Sequence, residues 1–257
     1  MAATFGPGAG RIRVRFVDGP PFLRKGEGQA GPMADQGWME LPLFPLNTVL
    51  FPGMVLPLHI FEDRYKLMVR RCLAENRSFG VVLIRQGREV GGEAVPYDVG
   101  TMAIIAGIQP LTEGRMNLVA IGYERFRLRT VHYDQPYLVG EAEPWPLTEA
   151  EGERAGELVG PMRALLRQYL SLLAQAQGHK INIEQIPTDP YTLALLIAIV
   201  LQLPPAQKQD LLHQSTVEQL LIAERHILQR EQLLLDYIIR TQGQQWEGGH
   251  SGYLARN

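Results

Sequence analysis

The sequence predicts an α+β protein in which a β-rich lobe is followed by a C-terminal α-helical bundle. Three observations carry that reading. Between Glu40 and Trp145, short apolar runs alternate with Gly, Pro and Asp punctuation. After Trp145 the apolar residues recur at helical spacing instead. Between the two styles stands Pro144-Trp145-Pro146, a natural joint. The expected division is a tail or mis-assigned start at 1–37, a β lobe with one helix at 38–146, a helical lobe at 147–242 and a frayed tail at 243–257.

Residues 1–37 are rich in Gly, Pro and Arg and show no period beyond Arg11 to Val17, the composition of a disordered tail. Met33 and Met39 both stand just before the first structured-looking segment, so either is a candidate start. The stretch Leu41-Pro42-Leu43-Phe44-Pro45-Leu46, continued by Leu50-Phe51-Pro52-Gly53-Met54 and Leu56-Pro57-Leu58, cannot be helical. Its prolines also demote any strand to an edge or a bulge. Pro52-Gly53 favours a tight turn. One helix is expected from about Glu62 to Glu75, with Tyr65, Leu67, Met68, Cys72 and Leu73 on its apolar side and the acidic pair Glu62 and Asp63 at its positive end. Strands are read at Val81–Ile84, Met102–Ile105, Asn117–Ile121 and through Phe126–Arg129 toward Tyr133, with a turn at Thr112–Arg115. Such spacing implies a small barrel or folded sheet.

In the second lobe, Thr148 and Glu151 form a capping box. Leu158, Met162, Leu165, Leu166, Tyr169 and Leu173 follow as one stripe, with a kink or restart expected at Gly160-Pro161. A loop around Gly178 ends this element. Asp189-Pro190 is a helix start, and the apolar run Leu193–Leu201 reads as a buried helix stopped by Pro204-Pro205. The last helix spans about Val217 to Arg240. Its columns Leu220/Ile227/Leu234 and Leu221/Leu228/Leu235 are expected to pack within the chain, and Asp236 and Arg240 to pair at i,i+4.

Composition excludes several functions. The formal net charge is −2 with 20% charged residues, so nucleic acid is not the expected partner. A single cysteine, Cys72, permits neither an intramolecular disulfide nor a cysteine-rich zinc site, and its place on the apolar side of a helix suits a core thiol. The longest apolar stretch is roughly half the ~20 residues a membrane span needs. No signal peptide is visible, and a cytoplasmic location is expected. None of the six histidines, His59, His132, His179, His213, His226 and His250, lies at metal-ligand spacing from another. No phosphate loop, dinucleotide fingerprint or nucleophile elbow occurs. No catalytic residue, metal or cofactor is therefore expected.

The Pro-rich opening, extended through Leu58-His59-Ile60-Phe61-Glu62 and Arg64-Tyr65, closely resembles the start of the Lon protease N-terminal domain family. Three further blocks match in order: Val99-Gly100-Thr101-Met102-Ala103; Gly114-Arg115 with Gly122-Tyr123-Glu124-Arg125-Phe126-Arg127-Leu128; and Asp189-Pro190, Leu203-Pro204, Lys208-Gln209 with Leu211-Leu212. Together they cover about residues 39 to 240. The resemblance implies a PUA-like β-barrel lobe, a helical bundle, and capture of unfolded or tagged polypeptides. The ATPase and protease that follow in full-length relatives have no counterpart in these residues, so a non-catalytic, stand-alone module is expected, a monomer or weak homo-oligomer working as a holdase or as an adaptor for a separate protease. Phe51, Met54, Phe61 and Tyr65, large apolar residues beside turns, are the candidate polypeptide contacts. The alternative is a PUA-like RNA binder using Arg85, Arg88, Arg115, Arg125, Arg127 and Arg129 as a basic strand face, although Glu89, Glu93, Glu113 and Glu124 are interleaved.

Overall fold

A computed structural model describes residues 37–91, 94–148, 154–177 and 186–247, with side chains to residue 241. The expected N-terminal tail, the capping partner Glu151, the loop around Gly178 and most of the C-terminal tail lie outside the described residues. The chain divides into two compact units. Among described residues the first comprises 37–148 and 198–216, and the second 154–197 and 217–247.

The first unit holds seven strands: β1 (Met39–Leu46), β2 (Val55–Ile60), β3 (Phe79–Gly87), β4 (Ala94–Pro96), β5 (Val99–Pro110), β6 (Met116–His132) and β7 (Val139–Pro144). β1 pairs with β7 antiparallel and with β3 parallel, and the path β1-β7-β6-β5-β3 thus returns on itself as a ring. Two prolines inside β1 are tolerated because it changes partner midway. Met39–Pro42 pair with β7 and Leu43–Leu46 with β3, so each half keeps an open edge toward which a missing N–H can face. Helix α1 (Asp63–Ala74) lies where its period predicts, and Tyr65, Met68, Val69 and Cys72 are buried.

β6 is longer than any strand expected. Its first half, Met116–Ile121, lies between β2 and β5, and its second half runs between β5 and β7. The second half closes the ring's core. Phe126 is fully buried and its ring lies against two glycines: a Cβ on Gly80 would stand 2.6 Å from Phe126 Cζ, and one on Gly100 would stand 2.6 Å from the same atom and 2.5 Å from Val81 O. Met39, Leu41, Leu43, Val82, Met102 and Ala142 complete this cluster.

A helix that the sequence reading missed belongs to the same unit. Pro204-Pro205 ends one helix, but Pro205 also begins α4 (Pro205–Leu212), because proline at a first helical position gives up only an N–H that has no partner there. Segment 198–216 is tied to the strands by polar groups. Gln209 Nε2 donates to Val99 O at 2.9 Å, and Arg125 Nη1 donates to Leu212 O and Gln214 O, each at 2.6 Å. His213, at the C-cap, places Nε2 2.9 Å from Asp98 Oδ1 and Nδ1 2.8 Å from Gln209 O. A guanidinium at carbonyls that end a helix meets the negative end of its dipole.

The second unit contains α2 (Arg154–Gln177), the larger part of α3 (Pro190–Val200) and α5 (Val217–Glu247). α2 continues through Pro161 rather than restarting there. Asp189 caps α3 as expected, accepting from Thr192 N at 2.7 Å. α2 packs on α5, Met162, Leu166, Tyr169 and Leu173 of α2 are buried, and Gln232 Nε2 donates to Leu165 O at 2.7 Å. The α5 columns pack only in part. Leu220, Leu221 and Leu228 are buried, whereas Leu234 is exposed together with Leu233, Tyr237 and Ile238. Asp236 and Arg240 pair at 2.7 Å.

Candidate functional site

The residues most distinctive in the sequence turn out to be joints of the fold. Gly100 gives way to the Phe126 ring, Thr101 donates from a buried hydroxyl to Leu50 O at 2.6 Å, and Gly122 packs against Phe51 O. Arg125, 2% exposed, is the clamp on α4 rather than part of a surface face. Arg127 lies 3.6 Å over the Trp145 ring and Arg129 5.3 Å over Trp38, while Arg115 bonds to Thr112 and Glu113. The arginines weighed as a basic face are thus largely spent on the protein's own groups.

Of the four candidate polypeptide contacts, three are core side chains. Phe51 and Met54 are buried in the turn before β2, whose backbone is bonded to Gly122 through Gly53 N and Met54 O. Tyr65 stacks on Phe44 with ring centroids 4.3 Å apart beneath the Arg64 guanidinium, and burial pushes its hydroxyl up to about 12. Burial likewise pushes the Cys72 thiol up to about 11, in keeping with a core role. Phe61 differs. It is 45% exposed, just past the end of β2, with its ring stacked 6.0 Å from that of His59.

Phe61 leads to a surface that the sequence reading did not find. The registers of β2, β6 and β5 put Val55, Ile121 and Ile104 in one cross-strand row, Pro57, Val119 and Gly107 in the next, and His59, Asn117 and Gln109 in a third. Directly paired residues share a face of the sheet. The opposite face, carrying Leu56, Ile60, Met116, Leu118 and Ala120, is buried. This face is open: the first row is half-buried, Pro57 and Val119 are exposed (Val119 by 40%), and the third row lies at the surface. That third row is a side-chain ladder, with His59 Nδ1 2.9 Å from Asn117 Oδ1 and Asn117 Nδ2 donating to Gln109 Oε1 at 3.3 Å. The result is an apolar floor bounded by amide groups and one aromatic ring. The signal that could have revealed it is the run Asn117–Ile121, nearly all apolar on a strand with one wet face.

Among the described residues no cluster of three or more His, Cys, Asp or Glu could hold a metal ion, and no helix is long and apolar enough to cross a membrane.

A family model described as the ATP-dependent protease La (LON) substrate-binding domain matches residues 40–230. The chain belongs to this family. Similar proteins include a Lon protease of Anaeromyxobacter dehalogenans, 29% identical over 216 residues, and Lon protease 2 of Myxococcus xanthus, 30% identical over 175 residues. These alignments cover 83% and 67% of this chain but only 24% and 21% of the two relatives, so the chain spans about a quarter of their length or less. Among solved structures, a Lon N-terminal domain protein from Xanthomonas campestris aligns with a TM-score of 0.53 at 30% identity, over 72% of this chain and 95% of that one. The N-terminal domain of a Mycobacterium avium complex Lon protease shares the fold, with a TM-score of 0.57 at 21% identity over 75% and 97% of the two chains. The mixed sheet followed by C-terminal helices is the fold of Lon N-terminal domains, as the sequence blocks implied. Gly100, Gly122, Arg125 and Phe126, which stand in the sequence blocks that carry the resemblance, are contacts that close the β unit.

Proposed function

We propose that this chain binds unfolded or tagged polypeptides without turning them over, as a substrate-recognition adaptor for a separate protease or as a holdase-like module of the cytoplasm. The observation that carries the reading is the open β2–β6–β5 face in a chain whose family is described as a substrate-binding domain. An extended polypeptide lays alternate apolar side chains on Val55, Pro57, Val119 and Ile121. Its backbone amides meet the row of His59, Asn117 and Gln109, whose amide groups both donate and accept. Phe61 is the direct aromatic anchor. Phe51, Met54 and Tyr65 act from below, Phe51 and Met54 holding the turn that leads into β2 and Tyr65 holding α1.

The test is fluorescence anisotropy with a dye-labelled, reduced and alkylated unfolded protein. Phe61→Asp and Val119→Asp are each expected to weaken binding about tenfold or more, because each places a charge where an apolar contact is made. Circular dichroism and the melting temperature of both variants should match the parent. The labelled protein should also stay intact on prolonged incubation. Undetectable binding by the parent, or equal affinity in all three proteins, removes the proposal.

A further inference from the structure

Resting on the polypeptide-binding reading, a second site can be assigned in the same unit. The end of α1, the start of β1 and the connection between β6 and β7 enclose a cleft of about 80 Å³. Two guanidinium groups line it, and they are in different states. Arg77 is already neutralised: Nη1 donates to Glu75 Oε2 at 3.0 Å and Nη2 to Glu40 O at 2.7 Å. Arg71 meets only neutral acceptors, Tyr137 Oη at 3.1 Å and Gln135 Oε1 at 3.4 Å, and among the described residues no carboxylate lies within ion-pair distance of it. Tyr137 is only 5% exposed, yet it lines the cleft, and its hydroxyl is bonded to Arg71, which lines it too. Because that oxygen accepts from Arg71, its own proton is left to donate, and no described residue accepts it.

A guanidinium that bonds only to neutral acceptors and a phenol proton without an acceptor, side by side in a cleft, form the donor set for an oxyanion. Glu75 and Glu40 stand at the same cleft and repel further negative charge, so the site favours a carboxylate over a dianion and holds it by hydrogen bonds from Arg71 and Tyr137. The geometry points to a receptor for one carboxylate, accepted by Arg71 and Tyr137 and supplied by a bound polypeptide as its free C-terminus or as an acidic side chain. The site adds a specificity element that an apolar face lacks, since it distinguishes one end or one residue type of the client.

The experiment uses small probes first, so that it does not depend on polypeptide capture. N-acetylleucine, a C-terminus with its carboxylate, is titrated against the whole protein and followed by NMR at the Arg71 side-chain N–H and the Tyr137 ring. N-acetylleucine amide serves as the uncharged control and N-acetylaspartate α-methylamide as the side-chain source. The acid should bind about tenfold more tightly than the amide, the increment expected of charge-assisted hydrogen bonds. Arg71→Gln should abolish that preference, and Tyr137→Phe should reduce it several-fold while leaving the amide unaffected. Whichever carboxylate shows the preference identifies the source. Equal affinity of acids and amide, or a preference that survives Arg71→Gln in a variant with parental melting behaviour, overturns the assignment. A second arm compares one apolar peptide as free acid and as amide. Loss of all peptide binding while the small acids still bind refutes the proposed function and upholds the receptor.

Discussion

The two halves of β6 are built from one continuous strand on opposite principles. Along Met116–Ile121 burial alternates residue by residue, one face in the core and the other open. Along Gly122–Leu128 the alternation breaks down, and Arg125 and Phe126 are buried side by side. In the first half β2 and β5 flank the strand and its second face is left uncovered. In the second half the ring closes over Phe126, while the end of α4 and the turn after it supply carbonyl oxygens to Arg125. A strand covered on one side can spare its other face for a ligand; a strand covered on both must satisfy every polar group internally.

That contrast can be broken at adjacent positions. The largest effect is expected at Leu118→Ala, which removes a core side chain and should cost about 3 kcal/mol in a denaturant titration. Arg125→Met leaves the α4 carbonyls without their charged donor. It should cost about 2 kcal/mol and increase hydrogen exchange in α4 before it does so in β6. If Arg125→Met is neutral, the second half of β6 does not depend on its polar clamp and the distinction fails. Lys208 gives a subtler signal. Burial brings its ammonium down to about 8 from an ordinary 10.5, while Nζ donates to Ile199 O at 2.9 Å. The unfolded chain therefore binds more protons between those two values, and stability contributed at this site rises with pH across that window. Relative to Lys208→Met, the parent should be at its greatest disadvantage below pH 8 and should recover toward pH 10. A stability difference that does not change with pH would contradict the lowered value. The smallest effect is expected at Val119→Ala, within about 0.5 kcal/mol of the parent although Leu118 is its neighbour.

The sequence made the order of elements legible, because local rules decide it. The helix at Asp63–Ala74 followed from spacing and first-turn charge, and the start of α3 from Asp189-Pro190. α4 escaped because a proline pair carries two meanings, stop and start, and only the residues after it distinguish them. Exposure was less legible than type. Phe51, Met54, Phe61 and Tyr65 are all large, apolar and close to turns, yet whether such a residue is covered depends on which strand arrives beside it, and of the four only Phe61 is left in the open. Arg125 shows the converse. In a run Arg-Phe-Arg-Leu-Arg it reads as the wet side of a strand, and its acceptors lie 87 and 89 residues away. The open face was hidden because Val119 and Ile121 look as apolar as the core residues between them.

The sequence boundary near Pro144–Pro146 also divides the chain differently from its packing, since 198–216 return to the β unit. This has a consequence for synthesis. The first unit cannot be completed when its last strand emerges; it must wait for α4, after an insertion that begins at Glu149 and ends at Ile197. At roughly 5–20 residues per second, translation imposes a delay of several seconds. Throughout it the bonds from Arg125 to Leu212 O and Gln214 O and from Gln209 to Val99 O are unmade. For that interval the nascent β unit is itself an incompletely folded polypeptide.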